Sequence, residues 1–389
     1  MIIDYPDYAI DCLKTIEQHG FEAWFVGGSV RDSILRREFY DIDITTNALP
    51  EEIEGIFENT VPTGKKHGTI TVIIDSKPIE VTTYRSECGY NDNRHPDDII
   101  FEKHISVDLS RRDFTINAFA YHPKRDLLDL FGGMNDLKNG RIKTVGDARM
   151  RFTEDSLRIL RAFRFASVLG FEIDEETEKA AFSCGNLLCN LSGERILGEL
   201  KKLSEGKNPN IIAPFIANGY LKHFGILGIE CIINNLTTVK SLYRTAAMIS
   251  LTIHDLSLLK FKLKADNYLL EQIDTMDTIC SLPVPKSSID LKLLLNQIGK
   301  KNLELYTEYC KIIYSDRDFK ETMLLLDKVL KNDEPFCIED LKINGNVLKS
   351  IGINGKKIGE ALNMLTIEVI KNPSENTEES LINLVNRIM

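Results

Sequence analysis

Two aspartates at alternate positions, in Asp41-Ile42-Asp43-Ile44, follow the pair Gly27-Gly28 with twelve residues between Gly28 and Asp41. Side chains alternate between the faces of an extended strand, so both carboxylates share one face while Ile42 and Ile44 turn to a core. Neighbouring carboxylates repel unless a cation neutralises them, and hard oxygen donors beside a triphosphate suit Mg²⁺ better than zinc or calcium. The glycines would seat that triphosphate. Ala23-Trp24-Phe25-Val26 has the composition of a buried strand, and glycines after it allow a turn that brings backbone N–H groups to a ligand. Ser29 to Arg37 reads as a helix, so a phosphate near Gly28 and Ser29 meets free donors and the positive end of a dipole. Arg31 adds a planar cation for phosphate oxygens, with Asp32 placed to orient it rather than to bind metal. The chemistry implied is nucleotidyl transfer.

A third carboxylate is expected from a neighbouring strand. Thr69–Ile74 and Ile79–Tyr84 both have strand composition, with Asp75-Ser76-Lys77-Pro78 as the turn between them, and Glu80 is the acid of the second run. Arg111-Arg112-Asp113-Phe114-Thr115-Ile116-Asn117-Ala118 begins charged and ends apolar, the profile of a chain entering a core from a ligand face. Arg112 is a candidate for phosphate and Asp113 for a sugar hydroxyl. Glu154 and Asp155 are expected in the first turn of a helix capped by Thr153, where the dipole favours acids. Asp155 and Arg158 would then lie about 60° apart around the helix, both able to meet one flat ligand. On spacing alone, a plain intrahelical ion pair is the better explanation.

Those elements sit in a chain of 389 residues, too long for one ordinary core. Strand-like segments cluster before about residue 130, and helical periodicity dominates after 150, predicting an α+β head followed by an all-helical remainder. Helices are expected over 156–169, 194–203, 246–259 and 291–298, with joints near 205–209 and 331–335. The stretch Ser86 to Asp98 is rich in turn formers and reads as a mobile loop beside the site.

A net charge of −10 excludes bulk electrostatic capture of nucleic acid, so RNA contact must be local. One stretch offers it: Arg141, Lys143, Arg149, Arg151, Arg158, Arg161 and Arg164, where arginine predominates, as bidentate phosphate or base contacts require. No apolar run approaches the roughly 20 residues of a membrane span, and the start Met-Ile-Ile-Asp-Tyr lacks the basic flank of a signal peptide. A cytoplasmic protein with no membrane partner is expected. The eight cysteines have no spacing suited to zinc and read as free thiols.

Taken together these motifs resemble the class II tRNA nucleotidyltransferases, the group of CCA-adding enzymes and bacterial poly(A) polymerases. Five family motifs occur in order: Val26–Asp32 with Asp41-Ile42-Asp43, Arg111–Ala118, Asp129-Leu130-Phe131-Gly132-Gly133, Glu154–Arg158 followed by Arg161 and Arg164, and Ser192–Leu200. The likeness is dense over residues 20–205 and thin beyond, with Ile353–Gly359 similar to a tail signature. It implies a mixed-sheet, polymerase-β-like head (1–140) and a helical neck (141–205), body (206–330) and tail (331–389), with tRNA along the last three. By position, Asp41 and Asp43 would hold two Mg²⁺ with Glu80 alongside, and Gly28, Ser29 and Arg31 the triphosphate. Arg112 and Asp113 would take phosphate and ribose, Asp155 with Arg158 the incoming base, and Arg161 and Arg164 would complete the pocket. The implied activity is addition of C and A from CTP and ATP to the tRNA 3′ end, with A-only and poly(A) addition as alternatives. The 86–98 loop, which CC-only enzymes usually lack, favours addition of the terminal A; His95 departs from the family by standing where a second Arg is common. The sequence carries no signal of oligomeric state.

Two readings of other classes compete. His254-Asp255 is the kernel of a phosphohydrolase metal site, but His223 upstream sits at an expected helix end and no Gly-Lys follows Asp255. A catalytically inactive RNA-binding protein with this fold would not be expected to retain Asp41, Asp43 and Glu80.

Overall fold

In the computed structural model, which describes residues 3–88, 98–229 and 235–388, the run Ala23–Val26 is a strand, β1, buried along its whole length. The strands that follow in this part of the chain are β2 Asp43–Thr46, β3 Thr60–Gly64, β4 Thr69–Ile74, β5 Lys77–Thr83, β6 Arg85–Cys88, β7 Asp98–Phe101, β8 Phe119–His122 and β9 Asp126–Asp129. Among the described residues, seven form one mixed sheet in the order β3-β4-β5-β2-β1-β8-β9. β2 and β5 run parallel, while the other neighbours are antiparallel. β1 is apolar throughout because both faces of the sheet are covered. Ala23 and Phe25 enter the main core with Ile42, Ile44, Ile70, Val72, Ile79 and Val81. Trp24 and Val26 point the other way, to Tyr84, Leu109 and Ala120.

Period two therefore settles where the acids stand. Val26 pairs with Asp43 and Asp43 with Glu80, so both carboxylates lie on the Val26 face. Asp41 precedes the strand rather than belonging to it, because the ladder with β1 ends at Val26, where Gly27 turns away with φ +74°. The Ile42 carbonyl still accepts from Glu80 N at 3.2 Å.

The remaining local expectations are corrected in detail. The helix after the glycines spans Gly28–Ile34, and Arg36, with φ +56°, prevents its continuation to Arg37. The β4–β5 turn is only Asp75-Ser76, both at positive φ (50° and 60°), the backbone of a tight two-residue hairpin. Lys77 and Pro78 already belong to β5. The expected 86–98 loop opens and closes as paired strands, β6 with β7; residues 89–97, including His95, lie outside the described residues.

Two helices, not one, surround the acidic pair Glu154-Asp155. Ala148–Glu154 is capped by Asp147, whose side chain accepts from Met150 N, and Leu157–Leu169 follows. Asp155 is extended between them (φ −134°, ψ 103°) and accepts from Leu157 N at 3.1 Å. A short carboxylate that bonds the backbone locally ends the first helix and opens the second. Thr153 donates to the Arg149 carbonyl instead of capping. Ten of the thirteen residues of Leu157–Leu169 are buried, Arg158 among them, while Arg161 and Arg164 are half-buried.

The chain divides into two compact units, Met1–Gly225 with Lys262–Lys264, and Ile226–Phe261 with Ala265–Met389. The sheet and the helices just described belong to the first. The second is mostly helical, with a core of Leu348, Leu365, Val369, Leu381 and Val385 near its C-terminal end. The helix expected over 246–259 is interrupted: Thr252–His254 is a strand paired with Ile226–Ile229, between helices Ser241–Ser250 and Leu256–Phe261. The β-branched pair Thr252-Ile253 suits that strand. No described helix is long and apolar enough to cross a membrane.

Candidate functional site

A cavity of about 740 Å³ opens within the first unit, and its lining holds a carboxylate group, Asp41, Asp43 and Glu80 beside Gly27, Gly28 and Ser29, and a guanidinium group, Arg112, Arg158, Arg161 and Arg164 with Asp113 and Asp155. Every residue singled out in the sequence as catalytic or nucleotide-binding, Arg31 included, lines it. Gly27 fixes the closest approach. A Cβ there would lie 3.3 Å from Asp43 Oδ2 and 3.4 Å from Arg112 Nη1, on a backbone at positive φ. A side chain would therefore crowd the acid and strain the turn together.

The carboxylate side is under-compensated. Asp41 and Glu80 are exposed and Asp43 is half-buried. Burial pushes the Asp43 carboxyl up to about 6; Arg112 opposes the shift, and the charges of Glu80 and Asp41 add to it. A cation would relieve that strain. Among the described residues no three His, Cys, Asp or Glu side chains converge closely enough to hold an ion by themselves. Mg²⁺ is commonly held by one or two carboxylates with substrate phosphates and water completing the shell, so this donor set fits it.

The guanidinium side is already paired. Arg31 grips Asp32 through two bonds, Nε to Oδ1 at 3.1 Å and Nη2 to Oδ2 at 2.7 Å, and donates Nη1 to Asn117 Oδ1 at 2.6 Å. Asp113 accepts four bonds: from Phe114 N and Asn117 Nδ2 on one oxygen, and from Nε and Nη2 of Arg161 on the other. Burial alone would raise its pKa, yet Arg161 and Asn117 outweigh it and hold the carboxyl down at about 2. With about four acceptor positions on a carboxylate, Asp113 is filled, and its direct effect here is to aim Arg161. A sugar hydroxyl would have to displace one of these donors.

The side chains of Asp155 and Arg158 do not bond to each other, although Arg158 N donates to the Asp155 carbonyl at 3.0 Å. Arg158 Nη1 meets Glu154 Oε2 at 2.8 Å and Nη2 meets the Arg111 carbonyl at 3.0 Å. Asp155 Oδ2 accepts from Arg195 Nη2 at 3.2 Å. The intrahelical pair suggested by spacing is therefore not formed, because Asp155 stands outside the helix.

Sequence reasoning gave no role to several side chains that shape this cavity. Asp108, fully buried, takes Arg111 on one oxygen (Nη2, 2.6 Å) and Arg112 on the other (Nη2, 3.2 Å). Burial would raise its pKa, but the two arginines lower it overall. Phe165 lies beneath three guanidinium groups, Arg31 at 5.0 Å, Arg161 at 5.3 Å and Arg164 at 4.1 Å from its ring centroid. Arg164 also stands 2.9 Å from Glu199; burial pulls its pKa down to about 10, with Glu199 opposing and Arg161 adding to the depression. The i,i+3 and i,i+4 spacing of Asp108 to Arg111 and Arg112 was the one legible signal.

The competing metal motif has another use. His254 Nε2 contacts Asp277 Oδ2 and Nδ1 the Thr252 carbonyl, each at 2.8 Å. Asp255 accepts from Ser257 N and Leu258 N at the start of the next helix. Cys12, Cys184, Cys189, Cys280, Cys310 and Cys337 are free thiols.

Comparison with known proteins agrees with this architecture. The Poly A polymerase head domain matches residues 23–143, and the probable RNA and SrmB-binding site of polymerase A matches 170–213. A CCA-adding enzyme of Pediococcus pentosaceus is 36% identical over 391 residues, covering 97% of this chain and 96% of its own. Another from Staphylococcus haemolyticus is 38% identical, with 96% of each chain covered. The crystal structure of the Bacillus stearothermophilus CCA-adding enzyme in complex with CTP superposes with a TM-score of 0.74 at 28% identity, covering 98% of this chain and 96% of that one. An α+β head with a helical remainder, four of the five ordered motifs lining one cavity and full-length relatives above 30% identity lead to one assignment: the chain is an enzyme of the class II tRNA nucleotidyltransferase family.

Proposed function

We propose that this enzyme adds C and A residues, from CTP and ATP, to the 3′ end of tRNA without a nucleic-acid template. The observation that carries the reading is a single cavity whose lining includes both Asp41, Asp43 and Glu80 and Asp155, Arg158 and Arg161. The full-length likeness to CCA-adding enzymes supports the choice of acceptor and nucleotides.

Gly28, Ser29 and Arg31 receive the triphosphate, Arg31 held in place by Asp32 and Asn117. Arg112, braced by Asp108, neutralises phosphate charge from the other side. Asp155 accepts from the exocyclic amine of cytosine or adenine, while Arg158 donates to the neighbouring ring acceptor. Uracil and guanine present a carbonyl where the amine should be, leaving the carboxylate facing an oxygen, and sites that read by buried hydrogen bonds reject such ligands strongly. Arg161 and Arg164, stacked on Phe165, close the pocket. The 3′-oxygen of the acceptor forms a bond to the α-phosphorus as the bond to the bridging oxygen breaks; pyrophosphate leaves with that electron pair and the hydroxyl proton passes to solvent. Two Mg²⁺ held by Asp41 and Asp43, with Glu80 as further ligand, would supply Lewis acidity for the entering and departing oxygens.

The test offers the purified enzyme three tRNAs, ending at the discriminator base, at C and at CC, with labelled CTP or ATP. CTP is expected to enter the first two and ATP the third. Incorporation of ATP alone, on the CC-ended tRNA, would replace CCA addition by A addition; long homopolymer would indicate poly(A) synthesis.

A further inference from the structure

Tyr5 does not line the nucleotide cavity, yet its hydroxyl reaches a residue of the turn that does. The side chain is 4% exposed. Its ring stacks on Phe25 of β1, with centroids 3.8 Å apart and planes 8° from parallel, and Phe39 and Tyr121 flank it at 5.4 Å and 6.1 Å. Three aromatic neighbours in a close-packed core hold the ring, so the hydroxyl has little freedom in where it points. It points at Ser29 Oγ, 3.1 Å away. The direction of that bond follows from its surroundings. Ser29 Oγ donates to the Val26 carbonyl at 3.3 Å, so the one serine proton is committed there and Tyr5 is the donor to Ser29.

The run of bonds from Tyr5 to Ser29 to Val26 therefore bridges the Gly27-Gly28 turn, tying the residue after it to the last residue of β1 before it. Ser29 is 2% exposed, and with its proton engaged by Val26 its hydroxyl has none left for a phosphate oxygen, so any donation from Ser29 to phosphate falls to its backbone N–H. The bridged turn is also the one that stands closest to the acids, since a Cβ at Gly27 would lie 3.3 Å from Asp43 Oδ2. A small shift of this turn would move the phosphate seat and the carboxylate relative to each other. From this arrangement we infer that Tyr5 is a positioning residue for nucleotidyl transfer: through Ser29 it holds the Gly27-Gly28 turn at the spacing the triphosphate needs, without touching the nucleotide. The inference rests on the reading of that turn as the triphosphate's seat, and adds to it the side chain that sets its place. A phenylalanine would stack on Phe25 as well; the hydroxyl is what Ser29 explains.

Tyr5→Phe keeps the ring and removes the donor. Calorimetric titration of the full-length enzyme with magnesium pyrophosphate reads the phosphate seat without base, sugar or turnover. Tyr5→Phe should weaken that binding roughly fivefold, the order expected when a buried acceptor loses its partner. In steady state it should raise KM for CTP and ATP by the same factor, with kcat changed less. The double variant Tyr5→Phe with Ser29→Ala removes both polar partners together and leaves neither unpaired, so it should bind pyrophosphate more tightly than Tyr5→Phe alone. A lower Tm in Tyr5→Phe with pyrophosphate affinity intact would make Tyr5 a core residue only and overturn the assignment. A double variant whose loss is the product of the two single losses would overturn it too, because Tyr5 would then act independently of Ser29. Calorimetry involves no transfer, so a failure of the CCA-addition reading would show separately, as absent or altered incorporation of CTP and ATP by the native enzyme.

Discussion

The two walls of the nucleotide cavity follow opposite designs. On the carboxylate wall, Asp41 and Glu80 are exposed and Asp43 is held at an elevated pKa by burial and by its acidic neighbours. On the guanidinium wall, each charged group is already met: Asp113 by Arg161, Asp155 by Arg195, Arg158 by Glu154 and Arg112 by Asp108. The first wall is incomplete until a cation arrives, whereas the second is preorganised before any ligand enters. Under the proposed function, the charge that the reaction needs is left unbalanced in the protein, and the groups proposed to choose between bases are fixed in advance. Preorganised dipoles cost no reorganisation when the ligand binds.

The contrast breaks most sharply at Asp43. Asp43→Asn should reduce incorporation of every nucleotide by roughly a thousandfold or more, the order expected when a group that manages transition-state charge is lost. The same change should stabilise the metal-free protein. A carboxyl raised to about 6 in the folded state opposes folding at pH 7, and the opposition fades as pH falls through 6 toward its unfolded value. Calorimetry in EDTA should therefore give a Tm about 2 °C higher for Asp43→Asn at pH 7, with the gap closing near pH 4.

On the other wall the signs reverse. Asp113→Asn removes the partner of Arg161 and should destabilise the first unit by about 3 kcal/mol, as when a buried pair loses one member. The folded carboxyl is held at about 2, so its stabilisation is fully present above the unfolded value near 4 and is lost as pH falls through 2. Urea titrations at pH 7 and pH 3 should show a smaller difference between native and variant at the lower pH.

Smaller effects sharpen the boundary between the walls. Gly27→Ala pushes on both Asp43 and Arg112 and should lower kcat roughly a hundredfold for all accepted nucleotides, as misplacement of about 1 Å would. Arg195→Lys keeps the charge near Asp155 but loses the planar fork. It should cost only a few-fold in kcat with CTP while relaxing discrimination against UTP, read as the ratio of the two kcat/KM values.

How far the sequence could be read follows the same division. The carboxylate wall is built from adjacent strands with period two, so Asp41, Asp43 and Glu80 were legible from alternation and from one turn of glycines. Even there, the exclusion of Asp41 from β2 depended on Gly27 leaving the ladder, a backbone event with no periodic trace. The guanidinium wall depends on pairings across long chain separations, Arg161 with Asp113, Arg195 with Asp155 and Arg164 with Glu199. Spacing does not encode those partners. It suggested instead that Asp155 and Arg158 share one helix, which the Asp155 side chain prevents by bonding Leu157 N. The strand Thr252–His254 was hidden likewise, since an apolar run of helical length covered a β-branched break.

The central claim, that one wall performs transfer while the other selects the base, is tested most directly by measuring kcat/KM for CTP, ATP, UTP and GTP in Asp41→Ala and Asp155→Ala. The division predicts that Asp41→Ala depresses the accepted nucleotides together with their ratio unchanged, and that Asp155→Ala collapses the preference for CTP over UTP while transfer continues. A uniform loss across all four nucleotides in Asp155→Ala, with the CTP-to-UTP ratio intact, would contradict it.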